Sequence, residues 1–316
     1  MATTTSITTT YAGEFAGKYV AAALLSANTI QNGGITVKPN VKYKEVLKKI
    51  STNDILKNAT CDFDPTSTVT LTERILQPEE FQVNLTLCRK DFRSDWEAIS
   101  MGYSAFDQLP KTFSDFLIAH VAAKVAQKNE QNIWGGVTAN AGEFDGFTTL
   151  VSTDANLPTA QEVAGTTVTA SNVIAELGKI ADAVPSALYG KEDLYMYLPQ
   201  NIVRAYVRAL GGFGASGLGA NGTNNMGTQW YDNGSLSFDG IKIFMANGMP
   251  SNKAICTTKD NLYFGTGLLS DHNEVQVIDM GTLGEQNVRV VMRMTAGVQY
   301  SNIEDIVTYG ITNSAN

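Results

Sequence analysis

The stretch from Thr112 to Gly136, TFSDFLIAHVAAKVAQKNEQNIWGG, constrains the fold of this chain more than any other. Phe113, Phe116, Leu117, Val121, Ala122 and Val125 recur at three- and four-residue steps, which gathers them into one apolar stripe on a helical period. Thr112 and Asp115 make a variant capping box, Pro110 disfavours an earlier start, and Gly135-Gly136 provide the permissive backbone that ends the helix. The spacing predicts a helix of roughly 22 residues, about 33 Å long. Lys128 to Asn132 is polar all round, so the first half is expected to be the well-buried part. Such a helix suits a strut lying along a larger surface better than the centre of a compact enzyme.

Composition narrows the class further. Among 316 residues, 43% are hydrophobic, enough for a substantial core, whereas only 17% are charged, below the usual quarter. A chain so poor in charge and rich in Gly, Thr and Asn has much surface suited to being covered by other chains. The net charge of −8 argues against a general nucleic-acid binder. Cys61, Cys88 and Cys256 have no close pairing, which offers neither a disulfide framework nor a zinc site and fits reduced thiols. Tyr19 to Ala27 is a short apolar run, but Glu14 and a single preceding cation, Lys18, argue against a secretory signal. No stretch has the length to span a bilayer, so no membrane partner is expected. The Thr-rich opening, MATTTSITTT, is low in complexity.

In chain order, Gly13 to Leu25 reads as a short amphipathic helix broken at Asn32-Gly33-Gly34. Ile35 to Val41 is extended, and Pro39 places it at an edge or in an arm. Lys38 to Lys57 holds six Lys against Glu45 and Asp54, a local net of +4, which leaves −12 for the remainder of the −8 chain. Two readings stand: an arm lying on an acidic neighbour or packaged nucleic acid, or a solvated helix face around Tyr43 to Ile50. Thr68 to Leu76 and Phe81 to Arg89 alternate strictly and read as a hairpin turning at Gln77-Pro78-Glu79-Glu80, with Val69, Leu71 and Ile75 on one face and Phe81, Val83, Leu85 and Leu87 matching them. A two-stranded hairpin is marginal alone, so its apolar face must find a partner in its own domain or in another subunit; the low charge favours the second.

Gly142 to Val151 reads as a turn-rich return. Ser171 is expected to cap a helix through Val173, Leu177, Ile180 and Val184 that stops at Pro185. Asp193 to Leu198 is a strand, and Pro199 opens a helix carrying Ile202, Val203, Tyr206, Val207 and Leu210. Gly211 to Ser235 is a long Gly- and Asn-rich loop. Strands follow at Gly240 to Ala246, Lys253 to Thr258, Asn261 to Gly265 and Val275 to Asp279. A ribbon of Asn287 to Met294 with Gly297 to Tyr300 is expected to bend at Thr295-Ala296-Gly297. The class is α+β.

No catalytic set emerges. Gly212-Phe213-Gly214-Ala215-Ser216-Gly217 matches a GxGxxG string, but a helix precedes it and more glycines follow, so the strand–turn–helix context of a dinucleotide site is missing. Ser216 lacks the glycine of a nucleophile elbow, since Leu218 stands there. His120 reads as a hydrogen-bonded core histidine. His272 beside Asp271 and Glu274, and the pair Asp62 and Asp64, lack metal-site patterns. No enzyme activity, metal or cofactor is expected; the only enzymatic alternative is a nucleotide enzyme built on the Gly-rich loop.

The order of these elements resembles the major capsid proteins of tailed double-stranded DNA phages, the Johnson fold. The strings TLTERILQPEEFQVNLTLCRKDF, NLYFGTGLLSDHNEVQVIDM and RVVMRMTAGVQY are closest in phrasing to capsid proteins of crAss-like phages. The resemblance implies an N-terminal arm over 1–58, an E-loop over 59–91, and a peripheral domain over 92–156 with its spine helix at 112–134. An axial domain over 157–269 and closing peripheral strands over 270–316 complete it. It implies an icosahedral shell subunit that assembles as hexamers and pentamers around the genome, located in the virion and assembled in the host cytoplasm. The implied partners are copies of itself, a portal, packaged double-stranded DNA bound without sequence specificity, and a separate scaffold or decoration protein where one exists. Glu73, Arg74, Glu79, Glu80, Lys42, Lys44, Lys48 and Lys49 are the expected assembly-interface residues. An encapsulin-type compartment shell is the alternative with the same fold.

Overall fold

The computed structural model describes residues 28–52, 68–88, 111–211, 236–267 and 275–315, with positions 56, 58, 59 and 61 between the first two segments. The Gly13 to Leu25 helix, the Gly-rich string at 212–217, His272 and the Asp62/Asp64 pair lie outside the described residues.

The long helix forms as the periodicity requires, as α2 over Lys111–Gly135; ahead of it the described residues include a short turn of helix, α1, at Asn28–Gln31. Val121 of the apolar stripe is buried, and the polar end, expected to face solvent, is buried as well. Asn129, Glu130, Asn132, Ile133 and Trp134 are buried, while Ala119, Lys124 and Lys128 in the earlier turns are exposed. Polar groups can be buried when hydrogen-bonded, and these have distant partners that local polarity does not reveal. Thr29 donates its backbone N–H to Glu130 at 3.1 Å, and Asn132 Nδ2 donates to the Gly142 carbonyl at 3.0 Å.

The described strands form three sheets. One contains β1 (Thr36–Lys38), β10 (Leu262–Gly265), β12 (Asn287–Tyr300) and β11 (Gln276–Asp279) in that order, with β4 (Glu79–Cys88) paired to β12 as well. β1 is the edge that Pro39 implied. β12 is one continuous strand of 14 residues rather than a bent ribbon. Its neighbours change along its length: β4 pairs with Asn287 to Ala296, β11 with Val288 to Val291, and β10 from Gly297 onward. Val288, Val290, Met292, Met294 and Ala296 alternate into the interior.

The second sheet has the order β5 (Glu162–Val163), β13 (Val307–Tyr309), β9 (Ala254–Thr258), β6 (Leu194–Leu198), β8 (Ile241–Met245) and β7 (Ser237–Phe238). Leu194, Met196 and Leu198 pack under the helices α4 (Val173–Asp182) and α5 (Gln200–Gly211). Tyr197, on the other face, joins Trp134, Phe147, Phe264 and Tyr300 in a second core. Trp134 stacks between Phe147 at 5.5 Å and Tyr197 at 5.1 Å, so the end of α2 is the point where both layers meet. Asn172, not Ser171, precedes α4, and Thr169 N–H donates to its Oδ1. The return after α2 includes a short helix, α3, at Phe147–Ser152.

The third sheet corrects the hairpin. β3 (Val69–Leu76) pairs not with β4 but with β2 (Glu45–Thr52), in an unbroken antiparallel register from Glu45↔Leu76 to Thr52↔Val69. The segment around Tyr43 to Ile50 is therefore largely strand, not helix. Alternation identifies a strand without naming its partner, and at Gln77-Pro78 the chain leaves one sheet for another. Gly297 makes that crossing possible: a Cβ there would stand 2.9 Å from both the Gln77 carbonyl oxygen and the Pro78 Cα.

Candidate assembly surfaces and the root of the hairpin

Antiparallel partners share a face, so the β2–β3 register sorts the hairpin into two surfaces. The outer one carries the rungs Val46–Ile75, Lys48–Glu73, Ile50–Leu71 and Thr52–Val69. Ile50, Val69 and Leu71 are 67%, 66% and 69% exposed, and Val46 and Ile75 are partly exposed at 42% and 45%. One opposite-charge rung thus sits between apolar rungs on a face open to solvent. Expected interface residues Lys48 and Glu73 meet here. Lys42 and Lys44 lie exposed in the approach to β2, with Lys44 Nζ 5.2 Å from the centre of the Tyr43 ring. Glu79 and Glu80 are not on the hairpin at all; they open β4, opposite Ala296 and Thr295.

The inner surface carries Leu47–Arg74, Lys49–Thr72 and Ser51–Thr70. Leu47 and Leu76 pack with Val41 against Tyr263 in a small core at the root. Beyond that core the inner face overhangs a cleft of about 640 Å³ walled by Leu150, Thr153 to Asn156 and Gln299 to Glu304. Gln299 Nε2 donates to the Ile75 carbonyl at 3.1 Å beside the root, and two charged side chains of the hairpin reach across farther out. Arg74 pairs with Asp154 and lies 4.4 Å over the Tyr300 ring, whose hydroxyl donates to the same carboxylate at 2.7 Å. Lys49 donates to Asn302 Oδ1 at 2.7 Å and to Glu304 at 2.8 Å. Burial pulls the Asp154 carboxyl up, but hydrogen bonds from Tyr300, the Asn156 N–H and Arg74 outweigh it and hold the group below its ordinary value. Burial, reinforced by the bond to Asp154, pushes the Tyr300 phenol up. Arg74 and Lys49 were expected at subunit interfaces; the structure gives both of them partners within their own chain. Asp154, Tyr300, Asn302 and Glu304 escaped sequence reasoning because they lie 80 or more residues from the hairpin and carry no motif.

A second tie fixes the chain's entry. Glu130 accepts from the Thr29 N–H and hydroxyl and from Gly248 N–H at 3.4 Å, while Trp134 Nε1 donates to the Thr29 hydroxyl at 2.8 Å. Burial raises the Glu130 carboxyl despite these bonds.

Among the described residues no cluster of His, Cys, Asp and Glu could hold a metal ion. Cys256 is buried, which pushes its thiol up to about 12, and Cys61 and Cys88 form no disulfide. His120 is half-buried on α2. No helix among the described residues is long and apolar enough to cross a membrane.

No protein-family model matches the chain, and no curated protein matches it. Solved structures do. The capsid of a native GTA particle matches with a TM-score of 0.60 at 13% identity, over 92% of each chain. A Mycobacterium phage Adephagia chain matches with a TM-score of 0.57 at 15% identity, over 92% of this chain and 91% of that one. The capsid of Myoviridae phage XM1 matches with a TM-score of 0.57 at 13% identity, over 93% and 95%. At such identities the likeness speaks to architecture, and it covers 92% of the chain: the chain has the α+β Johnson fold of phage capsid structures.

Proposed function

We propose that this chain is a structural subunit of an icosahedral phage capsid, assembling with copies of itself as hexamers and pentamers that enclose double-stranded DNA. The observation that carries the reading is the bare apolar outer face of the β2–β3 hairpin. Burying Ile50, Val69 and Leu71 on a neighbour would each contribute on the order of 1 to 2 kcal/mol, which a single chain leaves unused. Repeated around a ring, contacts of that size close a shell cooperatively without one dominant bond. The fold shared with capsid structures points the same way. No catalytic role is assigned, in keeping with a structural protein.

In domain terms, residues 1–58 serve as the arm and 59–91 as the E-loop region, with the paired hairpin itself spanning Glu45 to Leu76. Residues 92–156 form the peripheral domain around α2, 157–269 the axial domain, and 270–316 the closing strands. β10 and β13 lace the last two together, since each pairs into the other's sheet. The exposed lysines Lys42 and Lys44 suit contact with an acidic neighbour or with packaged DNA. The chain acts in the virion after assembly in the bacterial cytoplasm, with a portal and, where one exists, a separate scaffold.

Leu71→Asp tests the reading. On an exposed position it should shift folding stability by no more than about 0.5 kcal/mol, while electron microscopy should show loss of closed particles. Unchanged shell yield in that variant would remove the outer face from the interface. Particles filled with a partner enzyme instead of DNA would point to a compartment shell.

A further inference from the structure

We infer that Arg74 and Lys49 form a latch that sets the angle at which the hairpin presents its outer face. The use made of that angle rests on the shell-subunit reading; the latch itself is a property of one chain.

The root of the hairpin is a fulcrum with no slack. Leu76 is fully buried, and a Cβ on Gly265 would stand 2.9 Å from its side chain. The crossing at Gln77-Pro78 is wedged against Gly297. Beyond the fulcrum the inner face changes character. Lys49, Ser51, Thr70, Thr72 and Arg74 are all polar, and no apolar core joins them to the body. Sheet and body are separated there by the cleft, so the polar ties decide where the lever rests.

The two ties are unequal. Asp154 is nearly enclosed, its side chain 8% exposed, and it receives Tyr300 and the Asn156 N–H as well as Arg74. Arg74 also stacks on the ring that donates to its partner, so charge, hydrogen bond and stacking together favour one orientation. Glu304, facing Lys49, is 64% exposed, and such pairs are weak in water. Arg74 is therefore the principal positioning residue and Lys49 the auxiliary one.

The leverage is large enough to matter. A strand of eight residues spans about 27 Å, so a turn of about 10° at the root displaces the far rung by about 5 Å. Close-packed apolar contacts do not tolerate a displacement of that size. Loss of the latch would leave the outer face intact yet misaimed, and its docking slow or heterogeneous.

The test is a distance measurement by pulsed electron spin resonance between labels at Ile50→Cys and Ala160→Cys, in a C61S/C88S background diluted with unlabelled chain. With the latch intact, one narrow distribution is expected. R74Q/K49Q should shift and broaden it, R74Q alone should cause most of the change, and R74K should fall between. K48Q, on the outer face, should leave it unaltered. Near-ultraviolet circular dichroism establishes that the body of each variant is folded; if R74Q is not, R74K and Y300F carry the comparison. A distribution in R74Q/K49Q as narrow as the parent's, at the same distance, overturns the latch. Because the labels report one chain, the latch can hold even if no shells form, and shells can form even if it fails.

Discussion

Glu130 and Thr29 stand 101 residues apart in sequence, yet the Glu130 carboxylate accepts from both the backbone N–H and the hydroxyl of Thr29. The bond pair seats α1, just ahead of β1, on α2 where the two cores meet. Burial raises the carboxyl above 4.5 against the pull of its hydrogen bonds, so the folded chain holds that proton more tightly than the unfolded chain. The stability contributed by a group shifted this way is present below the unfolded value and is lost as pH rises through the folded one. The melting temperature of E130Q should therefore gain on the wild type as pH rises from about 4.5 toward neutrality. A gap that stays constant, or one that changes in the opposite sense, contradicts the assignment.

Asp154 has the opposite sign. Its carboxyl is held below 3.8, so its contribution is present above that value and is lost as pH falls through the lower folded value. Removing the charge with D154N strands Arg74 and should cost about 1 to 3 kcal/mol near neutral pH. Melting curves should show that deficit shrinking as the solution is acidified past the ordinary carboxylate range. An undiminished deficit in strong acid would mean that the carboxylate charge is not what Arg74 and Tyr300 recognise.

Two glycines give a contrast. A Cβ at Gly248 would lie 1.9 Å from the Glu130 carbonyl oxygen, which is backbone and cannot yield. Gly248→Ala should lose at least about 3 kcal/mol. Gly178 lies inside α4, where an added Cβ meets nothing within 4 Å. Gly178→Ala should gain about 0.5 to 1 kcal/mol. Chemical denaturation of the pair checks both, and a stable Gly248→Ala would mean that the turn after β8 does not approach α2 so closely.

The cross-strand rung of Lys48 and Glu73 predicts a charge reversal that repairs itself. K48E places two carboxylates opposite each other on the outer face and should cost under about 1 kcal/mol. The swap K48E/E73K should recover most of it. Additive losses in the double variant would show that the two side chains do not interact.

Much of this architecture was readable from local pattern. The 3.6-residue stripe located α2, alternation located β3, β4 and the late strands, and Pro185 and Pro199 bracketed the region between α4 and α5. What stayed hidden was partnership. A period of two in Val69 to Leu76 says that one face differs from the other, but not whether Glu79 to Cys88 or Glu45 to Thr52 lies alongside. The lysines that suggested a helix face are split by the same period, Lys48 outward against Glu73 and Lys49 inward against Glu304. Asn129, Glu130 and Asn132 looked like solvent-facing polarity because Thr29, Gly142 and Met294 lie far away in the chain or outside any motif. Asp154 and Tyr300 at the hairpin root were invisible for the same reason.

Electron microscopy of the purified wild-type chain beside a trimmed one tests the shell proposal most directly. Lys49 and Thr72 are register partners, so residues 50–71 can be replaced by Asn-Gly while the root, the Arg74 tie and β4 are retained. The wild type should form closed shells, and the trimmed chain should stay folded and unassembled. A wild type that remains a monomer at every concentration, or trimmed chains that still close into shells, would contradict the proposal.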